Sequence, residues 1–123
     1  MSDISLKMIS SMATRELLAA LAAQFGQRTH QRVEASAGGG VDVAKRIEQG
    51  EPFDVVVLAS NAIDKLIASG KVLPGSRVDL VESGIAIAVR AEAPRPAIAT
   101  EEEVKAAVLA APTLSYSTGP SGV

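Results

Sequence analysis

An open α/β fold, with a mostly parallel sheet and helices on both faces, is what this sequence predicts, and three observations carry the prediction. Segments with strand patterning alternate with segments of helical spacing from Ile4 to Gly70, joined by loops of a few residues. The run DVVVLAS, Asp54 to Ser60, places five apolar residues in a row after an aspartate, as suits a central strand buried on both faces of a parallel sheet. Glycines stand where the helical segments should stop, at Gly26, Gly50 and Gly70. Such alternation implies parallel strands joined by right-handed crossovers.

Each element has its own warrant. ISLKMIS, Ile4 to Ser10, alternates enough to be a strand. Ser10, Ser11 or Thr14 is then placed to cap a helix over ELLAALAAQFG, with Leu17, Leu18, Leu21 and Phe25 on one side. QRVEA, Gln31 to Ala35, reads as a short second strand. SAGGG follows as a turn, and VDVAKRIEQG as a second helix facing the core with Val41, Val43 and Ile47. After DVVVLAS, Ser60 or Asn61 caps a third helix, AIDKLIASG.

Beyond Gly70 the pattern changes. Pro74-Gly75 makes a turn, and Val78 to Val89 is rich in strand formers, interrupted at Glu82-Ser83-Gly84. TEEEVKAAVLAA opens with Thr100 and Glu103 in capping-box spacing, and PTLSYS reads as a further strand. The expected organisation is a first lobe over residues 1–83 and the incomplete beginning of a second over 84–123. The closing TGPSGV reads as a loop feeding another helix, so the chain is expected to be the N-terminal portion of a longer protein.

Composition excludes several functions. Twelve basic and 14 acidic residues give a net charge of −2, with no basic tract of the kind that neutralises nucleic-acid phosphates. There is no cysteine and only one histidine, His30. A disulfide, a thiol nucleophile and a cysteine-based zinc site are therefore ruled out, and a Ser-His-Asp triad has little material. His30, in the polar run GQRTHQR, is expected to be a solvated loop or strand-edge residue. Phe25, Phe53 and Tyr116 are the aromatic residues, few for stacking sugars or bases. The opening MSDISLKMISSM shows no basic region followed by an apolar run, and no stretch is long enough to span a membrane.

In an open parallel sheet, ligands sit at the carboxyl ends of the strands, where helix N-termini converge. Three loops fall there: Ser10, Ser11 and Thr14; Gly38, Gly39 and Gly40; and Thr118 to Gly122 with Ser117 and Ser121. Glycine lets a ligand approach the backbone, and free N–H groups at a helix start suit an anion. No general acid, base or metal cluster stands in these loops, so neither a catalytic residue nor a metal ligand nor a cofactor is expected. No Arg or Lys lies inside them either, which leaves neutral donors to hold the ligand; Arg15 sits nearby on the first helix. Each feature also has a plain structural reading. GGG serves as a simple connection, and it fits neither the P-loop nor the GxGxxG pattern. The serines serve as N-caps, Asp54 as a structural hydrogen-bonding residue, and Glu101 to Glu103 as a solvated helix start.

Taken together, SSMATRELLAALAAQF, GGGVDVAKRIEQGEPFDVVVLAS and the closing LSYSTGPSGV resemble the type 2 periplasmic solute-binding proteins, in particular their molybdate-binding-like group. IEQGEPFDVVV carries the most specific part of that resemblance, an I-x-x-G-x-P-x-D run between second helix and third strand. The resemblance implies the first lobe of a two-lobed periplasmic binder with the start of its second lobe. Closure would run about crossings at Ser83-Gly84 and Arg90-Ala91. It also implies a small anionic solute, a molybdate- or tungstate-like oxyanion or a small carboxylate, delivered to the membrane component of an ABC transporter. A periplasmic location follows, without nucleic-acid binding or membrane insertion. The site it implies is Ser10 or Ser11, the backbone at Gly38, Gly39 and Gly40, and Ser117 and Ser121 from the second lobe. Gly39 departs from the family, which often has Ser or Thr there, so molybdate specificity is not implied as firmly as an anion site. A cytoplasmic ligand-sensing domain and an enzyme on the same fold are the alternatives.

Overall fold

The computed structural model describes residues 4–117, and the chain divides into two compact units, Met1–Leu80 and Val81–Val123. The first unit contains β1 (Leu6–Ser11), a single 3-10 turn (Met12–Thr14), α1 (Arg15–Thr29), β2 (Val33–Gly38), α2 (Gly40–Glu48), β3 (Val55–Val57) and α3 (Ser60–Ala68). The second contains α4 (Glu101–Ala110).

The strands form one parallel sheet in the order β2-β1-β3. Leu6 lies opposite Val33 and Ser11 opposite Gly38, while Met8 faces Val55 and Ser10 faces Val57. Successive side chains of a strand point to opposite faces, and β1 uses both. Ile9 joins Val43, Ile47 and Leu66 in the core under α2 and α3, with Phe53, Val56, Leu58 and Val72 packed against it. Met8 faces the other way, into an open groove of about 360 Å³ shared with Leu18, Leu21 and Phe25 of α1. Helices therefore cover both faces of an open α/β sheet. Ile9 is wholly buried, so Ile9→Ala should cost about 2–5 kcal/mol.

IEQGEPFDVVV has a structural explanation. Ile47 enters the core, and Gly50 takes φ +91° to turn the chain back, a conformation costly for residues with a Cβ. Glu51 accepts from Arg46 Nε at 2.7 Å and from Nη2 at 2.6 Å. The Arg46 guanidinium lies 5.5 Å from the Phe53 ring centroid. Asp54 then bonds Lys7 twice: its Oδ2 accepts the Lys7 N–H at 2.8 Å, and its own N–H donates to Lys7 O at 2.8 Å. This fixes the chain entering β3 beside β1.

Several expectations are corrected. Gly26 does not end α1; the helix runs to Thr29, and His30 takes the left-handed position at φ 58° as its exposed C-cap, donating its N–H to Gly26 O. β2 reaches Gly38, so Ser36 to Gly38 belong to the strand because they continue the ladder with β1. The third strand lies at the edge of the sheet, with Val55 exposed, and β1 is the central strand. Of the apolar positions on α1, only Leu18 is buried, and Val41 on α2 is exposed. Val78 to Val89 and Pro112 to Ser117 form no strand. A strand exists only with hydrogen-bonded neighbours, and these apolar segments have no ladder among the described residues.

Candidate functional site

All three strands are parallel, so their carboxyl ends, and the starts of the helices that follow, share one end of the sheet. Ser11 and Gly38 form the last pair of the β1–β2 ladder. Thr14 is the N-cap of α1, Gly39 of α2 and Ala59 of α3, and none of them makes a side-chain capping bond. The first N–H groups of a helix have no partner within it, so this end of the sheet concentrates uncapped donors and the positive ends of helix dipoles. Within α3, Asn61 Oδ1 accepts the Ala62 N–H at 2.9 Å, so it acts from inside the first turn, and Ala59 rather than Ser60 or Asn61 holds the cap position.

The two serines differ by the period of the strand. Ser10 shares the face of Met8, toward α1, and is 2% exposed. Ser11 is half-buried at the tip of β1 and begins the turn into α1 without capping it. Thr14 Oγ1 is sealed from solvent and has no partner among the described residues.

The glycines also differ. Gly50, Gly70 and Gly75 have positive φ values, which explains their identity. Gly39 has φ −58°, and a Cβ there would meet nothing nearer than Asp42 Oδ2 at 3.6 Å, an ordinary contact. Neither conformation nor crowding requires a glycine at 39. Gly38 closes β2, where a Cβ would lie 3.4 Å from Val43 Cγ2, and Gly40 is the first residue of α2.

The structure thus brings Ser10, Ser11, Gly38, Gly39 and Gly40 to one end of the sheet. Ser117 is exposed in the second unit, and Ser121 lies outside the described residues. Sequence reasoning missed Asp42, whose carboxylate stands beside Gly39 at the start of α2. Its spacing, three residues after Gly39 in a helix start, is the signal that could have found it. Electrostatic perturbation lies elsewhere in the unit. The hydrogen bonds from Arg46 hold the exposed Glu51 carboxyl below its ordinary pKa, and Arg77 is raised by its bonds to Asp64 and Asp79. Among the described residues no group of acidic or histidine side chains could hold a metal ion, and no helix is long and apolar enough to cross a membrane.

With that geometry in view, residues 6–123 match the family of bacterial extracellular solute-binding proteins. The chain belongs to that family. Among solved structures, this solute-binding chain is similar to the periplasmic molybdate-binding protein of Azotobacter vinelandii, at 32% identity and a TM-score of 0.56, over 58% of this chain and 31% of that one. Among curated relatives it is 44% identical over 81 residues to an aconitate isomerase from Pseudomonas sp, covering 66% of this chain and 31% of the relative. The chain therefore spans about a third of the length of both. The matched family and its solved neighbour agree with the first lobe expected from the sequence.

Proposed function

We propose that this chain is the lobe of a solute-binding protein that holds a small anion at the carboxyl end of its sheet. The protein would work in the periplasm and deliver the solute to the membrane component of an ABC transporter. The observation that carries the reading is the meeting of three helix starts without side-chain caps beside the Ser11–Gly38 pair. Backbone N–H groups of Gly39 and Gly40, with the Ser11 hydroxyl, supply neutral donors to the anion. The Azotobacter vinelandii neighbour is a molybdate-binding protein, which supports oxyanions as candidate solutes beside small carboxylates.

A thermal-shift series on the full-length protein tests this, with molybdate, tungstate, sulfate, phosphate, acetate, succinate and citrate. A ligand at a hundred times its Kd adds about 2.7 kcal/mol of stability, and a clear rise with at least one anion is expected. No rise with any of them contradicts the reading.

One observation favours a second reading, the 44% identity to an aconitate isomerase. An isomerase moving a proton on such a substrate needs an acid-base group at the site, and Asp42 beside Gly39 is the carboxylate available there. Incubating the full-length protein with cis-aconitate and following the trans isomer by proton NMR separates the two. Turnover lost in Asp42→Asn supports the isomerase, and unchanged substrate supports the binder.

A further inference from the structure

We draw no further inference here: the strongest candidate, the open apolar groove that Met8, Leu18, Leu21, Phe25 and Val33 line between α1 and the sheet, carries nothing because nothing among the described residues shows what covers it.

Discussion

Two helices in this chain open on a threonine, and the two threonines behave differently. Thr100 caps α4: its Oγ1 accepts the Glu103 N–H at 3.2 Å, and Glu103 Oε2 reaches back to accept the Ala99 N–H at 2.9 Å. Thr14 holds the same position before α1, yet its hydroxyl is buried with no partner among the described residues. Three glutamates follow Thr100, as the helix dipole prefers, whereas Arg15 follows Thr14 against it. α4 is built for its own stability. The start of α1 lacks the side-chain cap and has one glutamate, Glu16, in its first turn in place of three, at the end of the sheet where ligands bind in open α/β folds. That difference locates function better than glycine content does.

The sharpest way to break the comparison is at the α2 start. Gly39→Val adds bulk where the backbone is bare, and nothing in the local geometry prevents it from folding. Anion affinity should fall by about a hundredfold or more, since both backbone approach and donor access are lost. Titration calorimetry checks this, and unchanged affinity removes Gly39 from the site. Ser11→Ala removes one hydroxyl donor to a charged ligand, an effect of about tenfold in Kd, read in the same experiment.

Stability sharpens the contrast further. Thr100→Ala should destabilise α4 by about 1 kcal/mol, seen as faster amide exchange over Glu101 to Val104. Thr14→Val should leave the melting temperature unchanged or raise it slightly, because no hydrogen bond is lost and an unpaired hydroxyl disappears. A loss equal to that of Thr100→Ala would mean that Thr14 caps α1 after all.

The smallest expected effect lies away from both helix starts. Arg46 holds the Glu51 carboxyl below its ordinary pKa through hydrogen bonds. The contribution of this pair is complete above the ordinary glutamate range and is lost as pH falls through the depressed value. Glu51→Gln should therefore flatten the acid limb of a stability-against-pH curve slightly, the pair being exposed.

Local chemistry was legible from residues. α2, α3 and α4 follow from apolar spacing, and the Thr100–Glu103 box from two residue types three positions apart. What the sequence hid was non-local. Gly26 reads as a stop, but the chain continues helical until His30 supplies the left-handed cap. Val78 to Val89 has strand composition, but composition cannot provide a neighbouring strand. DVVVLAS reads as doubly buried, and its place at the sheet edge depends on which strands flank it. For the site, the strand ends and Arg15 beside them were legible, and Asp42 was not. Asp42 belongs to an ordinary helix start until the turn into α2 sets its carboxylate beside Gly39.

The most direct test of the account is an amide chemical-shift titration of 15N-labelled full-length protein with the anion that gives the largest thermal shift. The account predicts the strongest perturbations at Ser11 to Arg15 and Gly38 to Asp42, with the Glu101 to Val104 amides at the start of α4 unmoved. Perturbations that leave both the Ser11 and the Gly39 segments unchanged would contradict it.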